Sequence, residues 1–117
     1  MIAVPAGVRV VLCTRPVDFR KGHDGLAAVV QEALRQDPFC GDIFIFRSKR
    51  LDRVKILAWD GSGLCLFYKR LETSRFTWPP VRDGVMRLSP AQMAMLLEGL
   101  DWSRVRRRTV TTPKAAC

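Results

Sequence analysis

Within the stretch Arg47-Ser48-Lys49-Arg50-Leu51-Asp52-Arg53-Val54-Lys55, five cations stand against one anion. Guanidinium and ammonium groups at this density suit contact with phosphates, where each neutralised phosphate releases counterions and makes affinity fall as salt rises. The same charge could instead keep the end of a hairpin solvated and blunt a sheet edge. A second mixed region sets Lys69, Arg70 and Arg75 beside Tyr68, Phe76 and Trp78. Its Trp78-Pro79-Pro80 segment is either a rigid docking element or a stiff loop with Trp78 tucked into the core. The densest run is Arg104, Arg106, Arg107 and Arg108, where a basic arm would speed encounter with DNA without specifying sequence.

Aromatic residues near these cations raise the prospect of base stacking. At period two, Lys55 and Trp59 fall on one side of a strand, and Phe67 and Lys69 on one side of the next. The expectation is that they share a sheet face, with Trp59, Phe67 and Tyr68 as candidate contacts to bases. Leu57 and Cys65 follow the same spacing, and aromatics so placed often fill a core instead.

For catalysis the candidates are Asp18, Asp24, Asp52, Asp60, Glu72 and Asp83, which could hold a divalent metal in a nuclease. Nearly all lie beside glycine, proline or a cation in turns, where aspartate serves local hydrogen bonding. His23 is the sole histidine, with no serine or cysteine paired to it by motif. Cys13, Cys40, Cys65 and Cys117 form no CxxC pair, so a zinc site lacks its usual spacing. No Walker loop, dinucleotide fingerprint or helix-turn-helix pattern is visible. The expectation is a chain without catalytic residues, metal or cofactor.

The chain that must position these groups has 117 residues, enough for one hydrophobic core and too few for two. Hydrophobic residues at 48% and charged residues at 26% place it among globular domains and exclude intrinsic disorder. Twenty Lys and Arg against 11 Asp and Glu leave a net charge of +9, which attracts polyanions. No signal-peptide pattern opens the sequence and no apolar run is long enough for a membrane span, so a reducing cytoplasm is expected.

Val8 to Cys13 is short and β-branched and predicts a strand. Leu26, Val29, Val30, Ala33 and Leu34 form a helical stripe, with Asp24 as N-cap and an end before Asp37-Pro38. Ile43 to Phe46, Val54 to Trp59 and Leu64 to Tyr68 predict an antiparallel meander, its second turn using positive φ at Gly61 and Gly63. Val85 to Leu88 adds a short strand. Ser89-Pro90-Ala91-Gln92 predicts a helix start with a capping box, and Gly99 its stop, with Leu100 and Trp102 folding back over the end. The class is α+β: a single domain over residues 1–103, an antiparallel meander with two helices, and a basic, flexible tail over 104–117.

Three segments together resemble a known family. They are Val17-Asp18-Phe19-Arg20-Lys21-Gly22-His23-Asp24-Gly25-Leu26-Ala27, the central block from Asp37-Pro38-Phe39 through Trp59-Asp60-Gly61-Ser62-Gly63 to Phe76-Thr77-Trp78-Pro79, and Leu88-Ser89 to Gly99-Leu100-Asp101-Trp102. The pattern resembles the TnpB accessory proteins of insertion sequences of the IS-sixty-six type, which share only a name with the RNA-guided nuclease TnpB. The resemblance implies a role in transposition beside a separate transposase that carries the catalytic acidic residues. It brings no catalytic residue to this chain. His23 departs from it, standing where an apolar residue is expected, and the tail beyond Trp102 lies outside it.

The combined expectation is a non-catalytic accessory protein that contacts DNA phosphates, the transposase, or both. The phosphate contacts would be Arg47, Lys49, Arg50, Arg53, Lys55, Lys69, Arg70, Arg104, Arg106, Arg107 and Arg108. The competing readings are a protein-only adaptor that assembles the transposase complex and a metal-dependent nuclease.

Overall fold

The structure, a computed structural model, describes residues 4–81 and 84–104. The element order is β1 (Val10–Cys13), α1 (His23–Glu32), β2 (Ile43–Arg47), β3 (Arg53–Trp59), β4 (Leu64–Arg70), β5 (Val85–Leu88), α2 (Pro90–Leu97) and a 3-10 turn (Trp102–Arg104). The strands form one sheet in the order β4-β3-β2-β1-β5. β2, β3 and β4 make the expected antiparallel meander. β1 lies parallel to β2, joined to it through α1, and β5 closes the other side of β1 antiparallel.

The two helices cover opposite faces of this mixed sheet, which explains why the central strands read as continuous apolar runs. Val11, Cys13, Phe44, Phe46 and Leu57 pack with Leu26, Ala27 and Val30 of α1. The alternate residues Val10, Leu12, Ile43, Ile45, Val54, Ile56 and Leu88 pack with Met93, Leu96 and Leu97 of α2. Phe76 and Trp102 complete the second layer. The indoles are fixed by polar contacts: Trp102 Nε1 donates to Thr77 O at 2.6 Å, and Trp78 Nε1 to Cys13 O at 3.0 Å. Trp78 is thus tucked against the core.

α2 starts as the sequence predicts. Ser89 Oγ accepts from Gln92 N at 3.1 Å, and Gln92 Oε1 accepts from Ser89 N at 2.8 Å. Gly99, at φ +76°, ends the helix with a paired backbone closure in which Gly99 N donates to Leu96 O and Leu100 N to Met95 O. Only Trp102 folds back over this end; Leu100 is exposed.

Two other local expectations are corrected. The N-cap of α1 is Gly22, without a side-chain cap bond, and Asp24 sits inside the first turn, where its charge favours the positive helix end. In the β3–β4 connection only Gly61 has positive φ. That turn is held by Asp60 Oδ1, which accepts from Ser62 N at 2.9 Å and from Gly63 N at 2.8 Å. No helix among the described residues is long and apolar enough to cross a membrane.

Candidate nucleic-acid interface

The connection between β2 and β3 carries the cationic run, and its backbone is tied on both sides. Ser48 N donates to Arg53 O at 3.1 Å, and Leu51 N donates to Ser48 O at 3.2 Å. Leu51 adopts a left-handed φ of +64°, a conformation that costs a non-glycine residue of order 1 kcal/mol or more. The turn so formed lets Leu51 O accept from Phe76 N at 2.7 Å and Asp52 O accept from Leu71 N at 2.8 Å. The loop is anchored to the following crossover while Lys49 and Arg50 stand exposed at its tip. Neither makes a hydrogen bond or ion pair among the described residues.

A second loop, residues 17–22, closes against this one. Between them lies a groove of about 360 Å³ lined by Val17, Asp18, Phe19, Ser48, Lys49, Arg50, Asp52 and Arg53. Lys55 fastens the two together. Its side chain is buried, and Nζ donates to Phe19 O and to Lys21 O, each at 2.8 Å. The same ammonium lies 5.1 Å from the ring centroids of both Phe19 and Tyr68. A buried cation without an acidic partner survives here because two carbonyls and two aromatic faces replace its water. Lys55 is therefore an internal tether, and its expected phosphate contact is withdrawn.

The strand register corrects the expected grouping of aromatics. Lys55 pairs with Tyr68 and Trp59 with Leu64, because the connection holds the four residues 60–63 and so matches odd positions on β3 with even positions on β4. Lys55 and Trp59 thus share the α1 side with Tyr68. Phe67, opposite Ile56, packs on the α2 side, which removes it from any stacking surface here. Trp59 lies at the far end of the strand, edge-to-face with Phe39 at 5.6 Å. Of the three aromatic candidates only Tyr68 borders the groove end.

Other cations divide in the same way. Lys69 Nζ donates to Leu97 O at 2.6 Å, satisfying a carbonyl at the C-terminus of α2 on the opposite face. Arg47 is half-buried, with Nε donating to Thr14 O at 3.2 Å, and burial lowers its pKa. Arg53 and Arg70 stand directly opposite each other across β3 and β4, a like-charge pair that costs stability unless an anion joins it. Asp52 lies 4.0 Å from Arg53 Nε, and Glu72 lies 3.3 Å from Arg70 Nη2. Arg106, Arg107 and Arg108 lie outside the described residues, as does the side chain of Arg104.

Loop 17–22, whose Val17, Asp18 and Phe19 line the groove, also carries residues for which no role was expected. Phe19, Arg20 and Lys21 come from the segment that opens the family resemblance, and only the long-range packing of loop 17–22 reveals their position. Phe19 meets Tyr68 edge-to-face at 5.8 Å. Arg20 is almost fully exposed and its guanidinium grips Asp18, with Nη2 to Oδ2 at 2.7 Å. These side-chain bonds, with the Arg20 backbone N–H, bring the Asp18 carboxyl down to about 2.

Of the other acidic candidates Asp52, Asp60 and Glu72 are engaged locally, and Asp83 lies outside the described residues. The backbone N–H groups of Ser62 and Gly63, with Cys65 and the Ser62 hydroxyl, bring Asp60 down to about 2. Asp52 accepts from the Ser48 hydroxyl at 3.3 Å. Among the described residues no three histidines, cysteines, aspartates or glutamates gather where they could hold a metal ion. His23 is an exposed residue at the start of α1.

Comparison with known proteins adds a lineage to this geometry. The family model described as IS66 Orf2 like protein matches residues 8–107. The chain is 50% identical over 113 residues to the uncharacterized protein y4jC of Sinorhizobium fredii, covering 97% of each. It is 44% identical over 101 residues to y4hO of the same organism, covering 85% of this chain and 88% of that one. No solved structure matches.

Proposed function

Because the chain belongs to the IS66 Orf2-like family, a membership that implies an accessory role in an insertion sequence, we propose that it is a non-catalytic factor that grips DNA phosphates. The grip uses Lys49, Arg50 and Arg53 on one side of the groove, with Arg20 and Lys21 next to the residues of loop 17–22 that line the other. The observation that carries this reading is the tied loop of residues 48–52. Its backbone is fixed by bonds to Phe76 and Leu71, yet Lys49 and Arg50 at its tip have no partner among the described residues. Two carboxylates line the same groove, but Asp18 is held by Arg20, and Asp52 is shared between Ser48 and Arg53. Five cations around two engaged anions leave a positive surface.

A titration of DNA binding against salt tests the reading. With three to five phosphates engaged, log affinity should fall against log salt with a slope of about −3 to −4.5 on duplex. Lys49→Glu with Arg50→Glu should flatten that slope by about 2 and leave the fold intact. An unchanged slope would remove the loop from the interface. Metal-dependent cleavage abolished by Asp18→Asn or Asp60→Asn would overturn the non-catalytic reading.

The adaptor reading draws on a different surface. On the α2 side, Pro5, Ile43, Ile56, Ala58 and Phe67 line a mainly apolar groove of about 350 Å³. A transposase docked there would bind with little dependence on salt, because apolar burial is not screened. Co-purification with the element's transposase, with and without nuclease treatment, separates the two: DNA bridging is lost on digestion and direct docking is not.

A further inference from the structure

Resting on that phosphate reading, we propose that the groove prefers an unpaired DNA strand and that one of its bases stacks on the outer face of Tyr68. Tyr68 is 47% exposed, yet its ring is fixed on three sides. The hydroxyl accepts from Arg53 Nη1 at 3.1 Å. Phe19 holds the ring edge-to-face, with an interplanar angle of 84°. Lys55 Nζ sits on the buried side, 5.1 Å from the centroid. Nearly half of the residue is left open to solvent, and β4 is an edge strand of the sheet, with no strand beyond it among the described residues.

A tyrosine serving only as strand filler needs none of this clamping. A ring already immobilised loses little entropy when a base covers it, so its stacking energy is retained as affinity. The cation beneath also draws electron density from the ring, which favours a second π system on the opposite face. Size points the same way. The groove is at the small end of ligand pockets, where one nucleotide fits, and the loop of residues 48–52 that forms one wall is tied by backbone bonds to Leu71 and Phe76. Arg53 joins the two functions, since it lines the groove and holds the Tyr68 hydroxyl.

The experiment compares three fluorescent DNA ligands of equal length by anisotropy at low salt: an unpaired strand, its duplex, and a strand of abasic sites with the same phosphates. The full chain should bind the unpaired strand about tenfold or more tighter than the abasic one, the range expected for a base on an aromatic platform. It should also bind it more tightly than duplex. Tyr68→Ala should abolish the difference between base-bearing and abasic strands, and Tyr68→Phe, which keeps the ring, should preserve it. Equal binding of the base-bearing and abasic strands by the unaltered chain would overturn the stacking inference and leave the phosphate reading standing. Binding of none of the three would overturn both.

Discussion

At one end of the β3–β4 pair, Trp59 meets Phe39 edge-to-face at 5.6 Å, and Asp60 satisfies the turn that follows. At the other end Phe19 meets Tyr68 in the same geometry at 5.8 Å, but the terminal residues are Arg53 and Arg70, facing one another. Both ends use an aromatic pair to seal the sheet. The difference lies in what remains after local needs are met. The Asp60 turn closes on itself through its own backbone, whereas the groove end gathers like charges whose repulsion a bound polyanion would relieve. Residue type alone does not separate a structural cation from an available one: Lys55 and Lys69 serve carbonyls, while Lys49 and Arg50 do not.

That contrast can be broken most forcefully at Lys55. Replacing it with Met keeps the bulk but leaves the Phe19 and Lys21 carbonyls without their donor and removes the tether of loop 17–22, for an expected loss on the order of 1–3 kcal/mol by urea denaturation. Lys49→Met should change stability by no more than about 0.5 kcal/mol. If the two variants unfold alike, the division between engaged and available cations is wrong.

Trp59→Ala probes the opposite end. It should lower stability by about 1–3 kcal/mol through lost packing and the lost pair with Phe39, while DNA affinity at low salt stays within about twofold. A large loss of affinity in a variant that remains folded would extend the interface along the whole strand pair.

The smallest effect is expected in acid. Asp18 and Asp60, one near each end, both have pKa values depressed to about 2 in the folded chain, below the ordinary 3.8. Their contribution to stability is complete above about pH 4 and is lost as pH falls through about 2. Thermal unfolding followed from pH 5 to pH 2 should show a decline that is shallower in Asp60→Asn. An identical profile in that variant would show that the turn bonds at Asp60 add nothing to stability.

Much of the scaffold was legible in the chain. The runs Val8 to Cys13, of which Val10–Cys13 forms the strand, and Val85–Leu88, the meander strands and the Ser89-Gln92 capping box carry local signals that the fold obeys. Pairing partners were less accessible. Nothing local in Val10 to Cys13 specifies that β1 lies parallel to β2, because that choice follows from how α1 packs on the sheet. The grouping of Lys55 and Trp59 with Phe67 and Lys69 failed on the parity set by the turn over residues 60–63. At the site, the exposure of Lys49 and Arg50 could be read from their loop. The burial of Lys55 could not, since its partners at Phe19 and Lys21 lie more than thirty residues away in sequence.

The place of β1 between β2 and β5 has a consequence for the chain as it leaves the ribosome. Val10–Cys13 is made before the other four strands, yet one of its two neighbours, Val85–Leu88, is made after them all. Until that partner emerges, an apolar strand that is fully covered in the finished protein has an open flank. Nascent chains stalled before Leu88 should therefore associate with one another or with chaperones, and release of the final strand should end that association.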